Sequence, residues 1–147
     1  MTLQQWAEQG WLRPHRADAR EVRSLLAIVE RDLNDASGPI SPDWRFGIAY
    51  NAALKLCTVL LHASGYKAQK NLQHYRTIQA LPLILGPDRQ ADAEYLDACR
   101  RKRNTVEYDA VGGATERDVE ELTAFVRHLR KTVEAWLRAR HPGLMAR

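Results

Sequence analysis

Cysteine is scarce in this chain of 147 residues. Cys57 and Cys99 are the two present, both within apolar helical patterns and in neither a CxxC pair nor a Cys/His cluster. That usage excludes a disulfide-stapled scaffold and predicts a reduced, cytoplasmic protein. Period-two alternation is missing over any length, so strands are not expected. No apolar run reads as long enough to span a bilayer. The start, MTLQQWAEQGWLRPHRAD, lacks a basic stretch leading into an apolar one, so neither a signal peptide nor a membrane partner is predicted. The Walker loop, GxGxxG and HExxH are all missing, which removes support for the motif-defined nucleotide and zinc enzymes. Charge excess is modest: 22 basic against 18 acidic residues, net +4, with a pI near 9.3. That balance permits a nucleic-acid partner without requiring one.

What is present is ordinary globular material: 45% hydrophobic and 27% charged residues, too apolar for disorder. Residues 1–17 read as an N-terminal arm that docks through Trp6 and Trp11, and 18–147 as one helical domain. Apolar residues from Val22 to Leu33 recur at steps of three and four, with Asp18 and Glu21 spaced as a capping box. Ser41-Pro42 opens a second helix, Ser as N-cap and Pro at the first helical position. That helix is apolar nearly all round and so should be central. One polar line survives on it, Asn51, Lys55, Thr58 and His62, either a solvent edge or a face for a partner. Around Ile78 to Leu85 a short helix kinks at Pro82. A fourth helix runs from Asp88 to about Tyr108, with Ala91, Tyr95, Leu96, Cys99 and Val106 inward. Thr115 caps the last helix, whose apolar stripe runs from Val119 to Leu137. The fold class is all-α, four or five helices in one bundle.

The stretch ACRRKRNTVEYDAVGG (98–113) places Arg100, Arg101, Lys102 and Arg103 side by side on the fourth helix. On a helical wheel Arg103 returns to within about 20° of Leu96, and Lys102 falls near the line of Tyr95 and Val106. Two cations therefore continue the apolar face. Either they snorkel outward from the core edge, or they await an anion. Arg103 and Tyr108 lie about 140° apart on a straight helix, so they converge only through a bend or through a second copy of the chain on a two-fold axis.

Three segments, YNAALKLCTVLLHASGY, HYRTIQALPLILG and YLDACRRKRNTVEYD, together resemble the HEPN domain family. The likeness rests on the run Ala52-Ala53-Leu54-Lys55-Leu56, on His74 opening the third segment, and on the Arg103-Asn104 pair, and it covers about residues 18 to 140. It implies an up-and-down bundle of four to five helices. It further implies a metal-independent ribonuclease, with no cofactor, acting as a toxin or defence component beside a nucleotidyltransferase antitoxin. In that family the site forms at a homodimer interface from an Arg and a His four to six residues later. Mapped here, Arg103 and Asn104 take the first two places with Arg100 as phosphate-binding helper, and Tyr108 stands where the His belongs. A tyrosine two residues beyond the motif His can accept nucleotidyl groups in one branch of the family; that register holds Ala110.

Metal-free RNA cleavage needs a base, an acid and cations for the growing phosphate charge. With a pKa near 10, only roughly one tyrosine in a thousand is ionised at pH 7, and general acid–base catalysis contributes about 10²–10⁴-fold. Glu107 or Asp109 is an alternative base, and Tyr108 an alternative core-edge residue. The function expected is therefore a weak endoribonuclease with a composite Arg103/Asn104/Tyr108 site binding RNA or a nucleotide phosphate. The alternative is a non-catalytic HEPN module that binds nucleotides or protein. His62 and His74 could approach one another, but their spacing fits no metal site. His15, His128 and His141 are expected on the surface.

Overall fold

A computed structural model describes residues 1–106 and 111–145. Glu107, Tyr108, Asp109 and Ala110 lie outside the described residues, as do Ala146 and Arg147. Four long helices form the bundle: α2 (Ala19–Asp35), α3 (Pro42–Ala63), α6 (Gln90–Asn104) and α7 (Glu116–Arg140). Shorter helices α1 (Leu3–Glu8), α4 (Gln73–Gln79) and α5 (Leu81–Leu85) flank them.

The helix starts follow the capping chemistry. The Asp18 side chain accepts from the Glu21 N–H, and that of Ser41 from the Trp44 N–H with Pro42 in the first turn. At Thr115 a full capping box closes, Thr115 and Asp118 each accepting from the other's backbone. Pro82 sits in the first turn of α5, where its missing N–H costs no helical bond; the chain breaks at Ala80 into two helices as the kink requires.

Helix α3 is the axis of the molecule. It packs on α2 and α7 most extensively, then on α6 and α4. Ala49, Ala52, Ala53, Leu56, Val59, Leu60 and Leu61 are all buried on it. By length and composition alone this 22-residue helix could cross a membrane, contrary to the sequence expectation, but most of that surface is buried inside the bundle. The apolarity is what a core helix with neighbours on every side needs. In α7 the buried stripe is Val119, Leu122, Val126, Leu129, Val133 and Leu137, with Phe125 and Trp136 half-buried beside it.

Two further expectations about the elements fail. Strands do form: β1 (Leu12–Pro14) pairs antiparallel with β2 (Tyr66–Ala68), Leu12 opposite Ala68. Three residues each is too short for alternation to show. Flanking bonds from the His15 N–H to the Gly65 carbonyl (2.9 Å) and from the Gln69 N–H to the Trp11 carbonyl (3.0 Å) extend the pairing. Gly65, at φ +97°, makes the turn from α3 into β2 that a side chain would strain. Second, Ala91 is exposed and Ala93 takes the inward place on α6, which starts at Gln90 behind a 3₁₀ turn over Pro87–Arg89: on the wheel Ala93 lies about 60° from buried Leu96 and Ala91 about 140°.

The arm docks through its indoles. Trp6 is buried, meets Trp11 edge-on at 5.8 Å between ring centres, and shares a small core with Leu12, Leu61, Ala68 and Ala80. The Arg76 guanidinium lies 3.7 Å over the Trp11 ring.

Candidate functional site

The four cations of α6 diverge around the helix, and each meets different surroundings. Lys102 reaches across to Asp118 of α7 (2.8 Å) beside the Phe46 ring, a core-edge cation closing a helix–helix seam. Arg101 is largely exposed and folds back on Asp97. Arg100 donates to Asp97 (2.9 Å) and its guanidinium faces the Tyr75 ring at 5.7 Å. Arg103 also lies against α3: a Cβ placed at Gly47 would stand 3.9 Å from its Cγ. Its guanidinium donates to the side-chain oxygen of exposed Asn104 (3.3 Å). Tyr108, Glu107 and Asp109 lie outside the described residues, and Thr105 and Val106 form a wider π-type turn just before them.

Around Arg103 the surface is grooved. One cleft is lined by Asp43, Trp44, Gly47, Arg103, Val106 and Val111, and the adjoining one by Asp32, Trp44, Gly47, Asn51 and Arg103 among others. Trp44 and Arg103 belong to both. The Trp44 indole is 60% exposed, unusual for a residue that large on the most buried helix of a bundle. It was not singled out from the sequence; a wheel of α3 shows apolar residues on all sides and gives no sign that its first turn lies open.

The rim is held by polar ties. Asp43 accepts from the Gly112 N–H (2.7 Å) and the Ala114 N–H (3.0 Å), pinning the loop before α7 to the start of α3. Those bonds hold the Asp43 carboxyl below the usual range. Arg45 bridges the Ala36 carbonyl and Glu116. Gly113 approaches so close that a Cβ there would lie 2.6 Å from Val106 Cγ1.

On the other side of α6, Arg100 lines a depression with Lys70, Leu72, Gln73, His74 and Tyr75. Leu72 holds a left-handed conformation, φ +55°, a position that favours glycine. His74 stands exposed at the start of α4. Crowding by surrounding atoms lowers its pKa, and the charges of Arg103, Lys55 and Arg100 lower it further. The imidazole is therefore harder to protonate than a free one. Arg100 and Arg103, one turn apart on α6, thus border one strip, with His74 and Tyr75 toward one end and Trp44 toward the other, where Asp32, Asp35 and Asp43 also line the clefts.

The remaining expectations sort by neighbour. Asn51 donates to Asp32 of α2 (2.7 Å), and Thr58 bonds back to the Leu54 carbonyl. His62 does not meet His74; it meets Glu21, which also takes His15. His15 is half-buried rather than on the surface because β1 delivers it against the end of α3, and His141 is half-buried against Trp136. His128 is exposed. Burial pushes the Cys57 thiol up to about 12 and the Cys99 thiol to about 11, so both are protonated and unreactive.

No family model, no curated protein and no solved structure matches this chain.

Proposed function

We propose that this chain is a HEPN-type helical protein that binds single-stranded RNA, or a nucleotide phosphate, along the strip bordered by Arg103 and Arg100. The observation that carries the proposal is the exposed Trp44 indole sharing a groove with Arg103. An aromatic face beside a guanidinium suits a stacked base and its phosphate: stacking is worth about 1–3 kcal/mol per base and tolerates any sequence. Arg103 is the phosphate anchor, with Arg100 and Asn104 in support. A homodimer through α3 and α6 would bring two such strips together; Ile40, Trp44 and Val111, all exposed apolar residues at this end, support such a face. The setting proposed is the cytoplasm, in a toxin–antitoxin or defence system beside a nucleotidyltransferase antitoxin.

The chemistry proposed is weak, metal-independent endoribonuclease activity at Arg103, Asn104 and Tyr108. His74, which shares a depression with Arg100, is a second candidate for the base that general acid–base cleavage needs. The competing reading, a non-catalytic binding module, draws on the replacement of the motif histidine by Tyr108.

RNA cleavage in EDTA by wild type, Arg103→Ala, His74→Ala and Tyr108→Phe decides between them. Loss in Arg103→Ala and His74→Ala assigns the base to His74, and loss in Arg103→Ala and Tyr108→Phe assigns it to Tyr108. No cleavage by the folded wild type, with RNA binding intact, leaves the binding module. Sedimentation as a strict monomer at micromolar concentration would remove the dimer.

A further inference from the structure

At the far end of α3 from Trp44, three metal-ligating side chains converge from three separate pieces of chain. His15 follows β1, Glu21 lies in the first turn of α2, and His62 lies in the last turn of α3. Glu21 is the centre. Its carboxylate oxygens lie 2.8 and 3.0 Å from His15 Nε2, and Oε2 lies 3.0 Å from His62 Nδ1. The two imidazole rings are 4.5 Å apart between centres, and the three candidate ligand atoms all fall within 4.8 Å of one another. The three side chains retain 21%, 31% and 12% of their exposure, buried enough to be held and open enough for an ion to enter.

We propose that His15 Nε2, His62 Nδ1 and a Glu21 carboxylate oxygen form a binding site for a divalent transition metal of the zinc type, with water in the fourth position. Two imidazoles and one carboxylate are a donor set for zinc rather than for magnesium or calcium, which take oxygen ligands. Zinc bonds of about 2.0–2.1 Å in a tetrahedron set neighbouring ligand atoms about 3.3 Å apart. The Glu21–His contacts, at 2.8–3.0 Å, open by a few tenths of an ångström, and the two imidazole nitrogens, within 4.8 Å of each other, close toward that spacing to admit the ion. Each ring proton now on Nε2 of His15 or Nδ1 of His62 then moves, through water, to the other ring nitrogen.

The ion would join the arm, through His15, to the end of α3 that the Gly65 turn and β2 already meet. This is independent of the RNA strip, which none of the three residues borders.

The test uses the untagged full chain, stripped with chelator, and measures bound zinc, cobalt absorption and thermal unfolding. One equivalent of Zn²⁺ should bind, and Tm should rise by roughly 5–10 °C when free zinc exceeds Kd about a hundredfold. Cobalt should give the visible bands of a low-coordinate nitrogen/oxygen site, and millimolar Mg²⁺ should neither bind nor compete. Glu21→Gln, which keeps shape and hydrogen bonding, and His62→Ala should each weaken zinc more than the ~10–100-fold typical of losing a second-layer partner. No zinc bound at 100 µM, or equal binding by wild type and both variants, overturns the proposal, as does equal stabilisation by Mg²⁺.

Discussion

The two ends of α3 carry similar polar residues and meet opposite surroundings. At its C-terminal end His62 lies against a carboxylate from α2 and a second histidine from the arm, so its polar atom has a partner from the fold itself. At its N-terminal end Trp44 is open and the chain facing it is Arg103, in a strip where Lys55, Arg100 and Arg103 bear together on one histidine. Between them Asn51 is satisfied by Asp32. On a wheel Asn51, Lys55, Thr58 and His62 form one line, but a line of polar residues has no single meaning. Where a neighbouring helix supplies the opposite charge, the line is structure. Where the charges of Lys55, Arg100 and Arg103 act together on His74, the line runs along the face proposed for a phosphate.

The largest effect should come from the shared middle. Leu60 is fully buried on α3, so Leu60→Ala should cost about 2–5 kcal/mol in denaturant unfolding and weaken both ends together; loss of one end only would show that they are not coupled through the core. Next, Trp44→Ala should weaken single-stranded RNA by roughly tenfold or more, the equivalent of about 1–3 kcal/mol for one stacked base. Trp44→Phe should keep most of the affinity in a fluorescence-anisotropy titration. An unchanged Trp44→Ala affinity would separate the indole from the strip.

Acid should act on the far end. His62 titrates below its ordinary 6.5 in the folded chain, so the unfolded chain binds more protons in between and stability falls as pH drops from about 6.5 through the lowered value. Glu21, also held below its ordinary 4.5, adds a further loss as pH falls through its own folded value. Thermal melts across pH 4–8 of wild type and His62→Gln should differ in the upper window, His62→Gln being flatter; parallel curves would remove His62 as the source. The smallest effect belongs to Tyr50, whose buried hydroxyl has no hydrogen-bond partner among the described residues. Tyr50→Phe removes a desolvated group without opening a cavity, so stability should stay within about 0.5 kcal/mol or rise slightly. A loss well beyond that would mean the hydroxyl has a partner after all.

Local signals were legible in the sequence where the physics is local. Asp18, Ser41-Pro42 and Thr115 mark helix starts because a cap needs only its own next three residues, and the α7 stripe follows from periodicity alone. The strands were not legible, since three paired residues show no alternation and their pairing depends on the Gly65 turn. Ala93, not Ala91, faces inward because at 100° per residue it lies about 60° from buried Leu96, whereas Ala91 lies about 140° away. The limit that hid the strands applies to the candidate site. Arg103 stood out by its place on the wheel, but Trp44, His74 and the His15–Glu21–His62 meeting involve residues from different elements. Spacing along one helix carries no record of them.

The central claim is that Arg103 anchors a phosphate of single-stranded RNA. It is tested most directly by the salt dependence of RNA binding, comparing wild type with Arg103→Ala. Wild-type affinity should fall linearly on a log–log plot as salt rises. Arg103→Ala should bind roughly tenfold or more weakly at low salt, with the slope reduced by about 0.7, the loss of one phosphate contact on a single strand. Equal affinity and equal slope in the two proteins would contradict the account.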